Sequence, residues 1–330
     1  MTKTLWFSYS LPPDRTLDSV EPFNSPYSLT WNLGRYLRDH AAALSYAFEY
    51  RNLDTPFADV IGPDDIVIGH PWWPTGWMSG ALDSPARLKF IIQPYQQDIV
   101  GVNESWWIKE QVAKANWCFW VTGLYWWDTM ATGLYGDWKA KSTRLDMACN
   151  TERHPRTKTR FNAPGKRRFL AIGADTPYKG LDMIADLFRQ SGYHLGYYGN
   201  AAPERFAHVP RFTHYGGTTF TPEVTARVTT EYDAFVSLAR GDANPTTLLE
   251  TALWGLVPFC NELCGYWPNR PFMELRKGDT LFNLRQLDWL QTAPDYKLQR
   301  RADAIRVEVV AKHTWAIFCE TVWAGIKTWL

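Results

Sequence analysis

The sequence predicts an α/β protein built from two parallel-sheet domains, and three observations point there. The chain has 330 residues, beyond the size at which one hydrophobic core usually stops growing. Strand-like apolar runs alternate with helical patterns along nearly all of it, the order that builds parallel sheets. The alternation breaks once, in a basic stretch holding two prolines, and then starts again.

In the first half, strands are predicted at 4–9, 43–50, 65–69, 88–92 and 118–122, with helices at about 25–39 and 105–114. The break spans 151–168, with seven Lys or Arg, two prolines and no acid after Glu152. It reads as an interdomain linker, a solvated connector in preference to a contact for phosphates. The second alternation runs strand 169–173, helix 180–191, strand 193–198, strand 211–215, helix 222–230, strand 234–238, helix 246–254 and strand 256–260. A helical stretch, 296–330, follows. No internal repeat or low-complexity segment occurs.

Composition removes several classes. A formal net charge of +1 is not that of a dedicated nucleic-acid binder, which carries a strongly basic face. No apolar run reaches the roughly 18 residues that would span a bilayer, and the start lacks a secretory core. A cytoplasmic protein is expected, with at most peripheral membrane contact. Cysteines 118, 149, 260, 264 and 319 are an odd number and form no disulfide framework. Cys260 and Cys264 lack the second pair or nearby histidine of a zinc site, so no metal is expected there. Buried thiols are expected.

Twelve of the 18 tryptophans precede residue 140, and indoles suit both cores and sugar faces. Trp117 and Trp120 lie in an apolar run and read as core. Trp72, Trp73 and Trp77 lie in a loop rich in Pro and Gly, where a platform for an acceptor is the functional reading.

The informative stretch is 234–259, AFVSLARGDANPTTLLETALWGLVPF. A buried strand ends in a loop carrying Asp242. Asn244 favours a helix cap and Pro245 the first helical position. The amides of Thr246, Thr247 and Leu248 are then expected to point out of a helix N-terminus, an anion site at the carboxyl edge of a parallel sheet. Glu250 follows one turn on, toward the same loop. Gly255 to Pro258 ends the helix and starts the next strand.

This stretch resembles the retaining family-four glycosyltransferases and their GT-B relatives. Their signature is an acid, seven residues, a glutamate, then a helix running into Gly-x-Pro-Val. Asp242 and Glu250 here have seven residues between them, followed by Thr251-Ala252-Leu253-Trp254-Gly255-Leu256-Val257-Pro258. Gly173-Ala174-Asp175-Thr176-Pro177-Tyr178-Lys179-Gly180 resembles the family's Gly-Arg-x-x-x-x-Lys-Gly loop, with Ala174 at the arginine's place. Tyr197-Tyr198-Gly199-Asn200 is similar to the family's strand-to-glycine turn, and Tyr215-Gly216 with 222–232 to the segment beside the base. Lys312-His313-Thr314-Trp315 is similar to its Phe-Ser-Trp. In the first half, Ser8 to Pro13 replaces the family's Gly-Gly loop. Gln93, in Gln93-Pro94-Tyr95, is similar to an element of bacterial surface-polysaccharide rhamnosyltransferases, a pointer to a deoxysugar donor. His70 ends another strand.

The resemblance implies a GT-B fold: two Rossmann-like parallel-sheet domains facing a cleft, with a C-terminal helix crossing back to the first. Residues 1–160 with 314–330 would bind a carbohydrate or other hydroxyl acceptor, with His70, Trp72, Trp73 and Gln93 as candidates. Residues 161–313 would bind a nucleoside-diphosphate sugar through Gly173, Lys179, Asn244, Pro245, Thr246, Thr247, Leu248 and Glu250. Asp242 would meet sugar hydroxyls, Lys179 the diphosphate and Glu250 the ribose. An ammonium about 4 Å from a phosphate oxygen is worth on the order of 4 kcal/mol at an effective dielectric near 20. Transfer would retain configuration and need neither metal nor cofactor. No G-x-G-x-x-G follows a strand and no P-loop occurs, which disfavours a dehydrogenase or a P-loop enzyme. The alternatives are a GT-B sugar-nucleotide epimerase and a non-catalytic sugar-binding protein of the same descent.

Overall fold

The computed structural model describes residues 2–22, 27–72, 74–94, 105–129, 136–266 and 272–330. In chain order the first elements are β1 (Thr4–Tyr9), α1 (Ser28–Ala43), β2 (Ala47–Asn52), β3 (Ile66–Gly69), α2 (Trp77–Asp83) and β4 (Leu88–Pro94). Next come α3 (Ser105–Lys114), β5 (Trp117–Val121), α4 (Leu124–Thr129) and β6 (Ser142–Leu145). The second series is β7 (Phe169–Ile172), α5 (Leu181–Ser191), β8 (Leu195–Tyr198), β9 (Phe212–Gly216), α6 (Pro222–Glu231) and β10 (Ala234–Ser237). It continues with α7 (Thr246–Trp254), β11 (Val257–Cys260), β12 (Met273–Glu274), α8 (Thr280–Thr292), α9 (Asp295–Lys312) and α10 (Trp315–Lys327).

The chain divides into two compact units. One holds Met1–Thr122, Trp127–Ala148 and Trp315–Leu330; the other holds Gly123–Trp126 and Cys149–Thr314. The first carries a sheet of order β2-β1-β3-β4-β5-β6 and the second one of order β12-β11-β10-β7-β8-β9, every recorded pairing parallel. β3, β8, β10 and β11 are buried at every residue, as strands covered on both faces must be. In the second sheet the order reverses between β7 and β10; in the first it reverses between β1 and β3. Loops leaving the carboxyl ends of strands at such a reversal diverge and leave room for a ligand.

Helices cover the sheets with apolar stripes. Leu29, Leu33, Leu37 and Ala41 of α1 recur every four residues and are buried, joining Phe318, Val322 and Ile326 of α10 in one core. The expected strand 43–50 begins later than its apolar residues suggest: α1 runs to Ala43, and Ser45, at φ 61°, turns the chain into β2. The C-terminal helical stretch is two helices. It breaks at His313-Thr314, where the Cys149 N–H donates to the His313 carbonyl at 3.0 Å and Cys149 and Thr314 form an isolated parallel bridge.

The basic stretch is not a solvated linker. It lies inside the second unit, and three of its cations have internal partners. Lys158 is buried, pairs with buried Asp233 at 3.0 Å, and donates to the carbonyls of Thr229 and Tyr232. Burial pulls its ammonium below the ordinary lysine range while Asp233 opposes that shift. Arg167, also buried, donates to the carbonyls of Leu290, Ala293 and Asn162 and pairs with Asp295 at 2.7 Å. Arg156 pairs with Asp303. The spacing of these cations carried no sign of their partners, which lie about 70 to 150 residues further on.

Lys158→Ala should therefore destabilise the protein by about 3–5 kcal/mol, because Asp233 is left as a buried, uncompensated charge. Arg160→Ala, at an exposed position of the same stretch, should stay within about 0.5 kcal/mol. Urea unfolding of the two variants tests this; equal losses would return the stretch to a solvated connector.

Candidate functional site

The loop after β7 closes on Lys179. It ends in a tight turn over Pro177–Lys179, and Gly180 then takes φ 62°. A Cβ at Gly180 would stand 1.9 Å from the Leu238 carbonyl oxygen, so only glycine lets this loop meet the end of β10. The Arg240 N–H locks the approach by donating to the Tyr178 carbonyl at 2.8 Å. The Lys179 ammonium thereby reaches the Asp242 carboxylate at 2.5 Å. Burial works against its charge, but Asp242 prevails and holds it above the ordinary lysine range. Gly173 starts the loop: its N–H donates to the Tyr198 carbonyl at 3.0 Å, and its carbonyl accepts from the Tyr197 hydroxyl at 2.7 Å. Lys179 carbons lie 3.7 Å from where its Cβ would be. Arg240 pairs with Asp182 in the first turn of α5.

The loop after β10 is held from three sides. The Asp242 N–H donates to the Leu263 carbonyl, the Asp242 carbonyl accepts from Trp126 Nε1, and the Ala243 carbonyl accepts from the Gly123 N–H, each at 2.8 Å. Asp242 is buried, with its carboxylate turned to Lys179. Pro245, not Asn244, occupies the N-cap position of α7, with φ −65° and ψ 119°, and no side chain among the described residues caps the helix. Asn244 instead gives its Oδ1 to the Tyr266 hydroxyl at 2.8 Å. The expected trio of bare amides is also reduced. The Leu248 N–H turns back to the Pro245 carbonyl at 3.1 Å, leaving the half-buried Thr246 and Thr247 at the open end. Proline lacks an N–H but keeps a carbonyl, and the first helical turn uses it.

Glu250 is buried, and burial pushes its carboxyl up to about 7. His154 Nε2 stands 3.7 Å from it, and His154 Nδ1 accepts from Trp254 Nε1 at 3.0 Å. Burial first, and the Arg153 charge second, hold His154 down to about 4. A neutral histidine that accepts at Nδ1 carries its proton on Nε2. Lys179, Asp242, Asn244 and the open end of α7 thus lie on the two loops that leave the reversal between β7 and β10, with Glu250 one turn inside the helix.

The first unit has its own reversal, and His70 is there. Its N–H donates to the Ser8 carbonyl at 3.1 Å, joining the ends of β1 and β3. Its Nδ1 meets the Ile92 carbonyl at 3.0 Å, and its ring lies 5.5 Å from Tyr9 and 5.1 Å from Trp72. Gln93 stands on β4 opposite Trp120. Trp73 lies outside the described residues. Trp77 is no loop platform: it opens α2, is fully buried, and donates to Asp59 at 2.7 Å. Sequence reasoning also missed Tyr266, Trp126 and the Asp182 partner of Arg240 as parts of the site, since each is fixed only by the fold.

No protein-family model matches the chain, and no curated protein matches it. Solved structures do. Sucrose-phosphate synthase from Thermosynechococcus elongatus superposes with a TM-score of 0.71 at 12% identity, covering 99% of each chain. Anabaena HepE in complex with UDP and glucose gives 0.64 at 8%, covering 98% of this chain and 100% of that one. TarM gives 0.61 at 12%, covering 80% of this chain; the match spans about half, 55%, of TarM. With two parallel six-stranded sheets, the chain has the GT-B fold of these glycosyltransferases.

Glu250 has a measurable signature. Between its ordinary value of 4.5 and about 7 the folded protein holds a proton that the unfolded chain releases. Its contribution to stability is fully present below 4.5 and is lost as pH rises through 7. His154 acts oppositely, its contribution being lost as pH falls from its ordinary 6.5 toward 4. Glu250→Gln leaves only the second effect. The unfolding free energy of the variant minus that of the parent should rise by on the order of 3 kcal/mol between pH 4.5 and 8. Parallel curves in denaturant titrations would mean that Glu250 titrates as a solvated carboxylate.

Proposed function

We propose that this protein is a glycosyltransferase that moves a sugar from a nucleoside-diphosphate sugar to a hydroxyl of a carbohydrate or glycoconjugate acceptor. Configuration is retained, and neither metal nor cofactor takes part. The observation that carries the reading is the Lys179–Asp242 ion pair beside the uncapped N-terminus of α7, at the strand reversal of the second sheet. The GT-B fold supports it, as does the UDP and glucose found in HepE.

The chemistry follows from these groups. As the bond between the anomeric carbon and the diphosphate breaks, the electron pair stays on the departing oxygen. The sugar gains oxocarbenium character, and the diphosphate gains charge. On donor binding Lys179 turns from Asp242 to that oxygen, and the Thr246 and Thr247 amides add dipoles already fixed in place. Asp242, released, accepts from donor-sugar hydroxyls. The acceptor oxygen bonds the anomeric carbon on the face the diphosphate leaves, and its proton passes to the diphosphate. Glu250 accepts from the ribose hydroxyls as a carboxylate, so nucleotide affinity weakens as pH falls below about 7. His70, Trp72, Trp73 and Gln93 are proposed to face the acceptor.

A cytoplasmic setting is part of this proposal, supported by five cysteines that are all buried free thiols, which suits a reducing compartment.

The direct test incubates the protein with UDP-, GDP- and dTDP-sugars and follows release of the nucleoside diphosphate. Slow release that an acceptor accelerates is expected, undiminished by EDTA, with the product's anomeric configuration read by NMR. Thermal stabilisation without turnover would mark a sugar-nucleotide-binding protein instead. Lys179→Ala should lower kcat/KM at least about tenfold, or 1.4 kcal/mol of transition-state stabilisation; full activity would remove Lys179 from the mechanism. Glu250→Ala should raise the Kd of the nucleoside diphosphate, and an unchanged Kd would cancel its ribose role.

A further inference from the structure

Asn244 is 3% exposed, yet its Nδ2 has no hydrogen-bond partner among the described residues. A buried amide donor without an acceptor is rare in native proteins, because its lost hydration goes unreplaced. Its neighbour explains its orientation. The Tyr266 hydroxyl has a proton to give and donates it to Asn244 Oδ1 at 2.8 Å, so the two Nδ2 hydrogens are turned away from the tyrosine. Tyr266 is itself buried and packed on Phe272 with ring centroids 4.6 Å apart. The amide is therefore held by a rigid partner.

The position of this orphan donor is informative. Asn244 directly precedes Pro245, the N-cap residue of α7, which no side chain caps. Pro245 has no N–H, so the mouth of the helix lacks the backbone donor that any other residue there would supply. The Asn244 side chain stands one residue away with two hydrogens to donate. Asp242, two residues earlier, is paired with Lys179, so its carboxylate is already engaged.

We infer that the Asn244 side-chain amide, held by Tyr266 as a positioning residue, donates to a phosphate oxygen of the diphosphate, replacing the donor that Pro245 removes. This rests on the donor site proposed above and assigns within it a further group that contacts the diphosphate and not the nucleoside. The Asn244 hydrogen bond forms only when a phosphate is present, and Tyr266 acts through Asn244 alone.

The test uses the full chain with UDP, GDP, ADP and dTDP, each beside its nucleoside, with affinities from calorimetry and ligand-observed NMR. Taking the diphosphate that the parent binds most tightly, Asn244→Ala should raise its Kd by between about tenfold and about a hundredfold. Affinity for the matching nucleoside should stay within about twofold, well under the loss for a hydrogen bond to a charged group. Asn244→Asp keeps the shape and the acceptor for Tyr266 but removes the donor, and should lose at least as much; it serves if the alanine variant does not fold. Tyr266→Phe should raise the diphosphate Kd about threefold in the parent and leave it unchanged in Asn244→Ala, since the two act as one unit. Three results would overturn the inference: an unchanged diphosphate Kd in both Asn244 variants, an equal loss for the nucleoside, or an undiminished Tyr266 effect without Asn244. If the parent binds none of the four diphosphates, the donor-site reading itself falls and takes this inference with it.

Discussion

Helix α7 is polarised by what the chain places at its two ends. At its C-terminus the Leu253 carbonyl accepts from Arg306, and the Trp254 carbonyl accepts from the N–H groups of Thr157 and Lys158 at 3.2 and 3.0 Å. Gly255, at φ 97°, lets the basic stretch come close: a Cβ there would be 3.2 Å from the Lys158 Cβ. Cations gather where the helix dipole is negative. At the N-terminus the fold does the reverse and leaves the end without a side-chain cap. The stretch that reads as a solvated linker thus packs at the far end of the helix and consumes its carbonyls.

The acids and cations near that open end are balanced in the free protein. Lys179 is matched by Asp242 and Arg240 by Asp182. An anion that pairs with Lys179 or Arg240 must displace a carboxylate already in place, so a ligand that also occupies the freed Asp242 has an advantage over phosphate alone. A sugar bearing hydroxyls next to a diphosphate offers both. The same two-loop arrangement explains why Gly180 is glycine. Without contact between the Lys179 turn and the end of β10 at 1.9 Å from a would-be Cβ, the ammonium and the carboxylate would not share a hydrogen bond.

Much of this was legible in the sequence because it depends on local order. The span of α7 from Thr246 to Trp254 and the first strand from Thr4 to Tyr9 follow from apolar runs and their punctuation. Asp242 and Lys179 could be named from motif spacing, although their mutual ion pair could not. What escaped depends on distant parts of the chain. Tyr266 lies 22 residues from Asn244, Trp126 116 from Asp242, and Asp233 71 from the Asn162 N–H it accepts from. β6, α2, α4, α8 and β12 were not anticipated, being short or carrying mixed patterns that turn composition disguises. The cap position slipped by one residue because proline can serve either as the first helical residue or as the residue before it.

The return of α10 to the first sheet sets a timetable for the nascent chain. Phe318, Cys319, Val322, Trp323 and Ile326 belong to the same apolar core as Leu5, Leu33 and Phe90, so the half translated first cannot be completed until the last helix leaves the ribosome. The second unit ends at Thr314. The later-translated half is thus free to finish first, and the earlier one waits with the α10-facing side of α1 still wet, the interval in which a chaperone would find it.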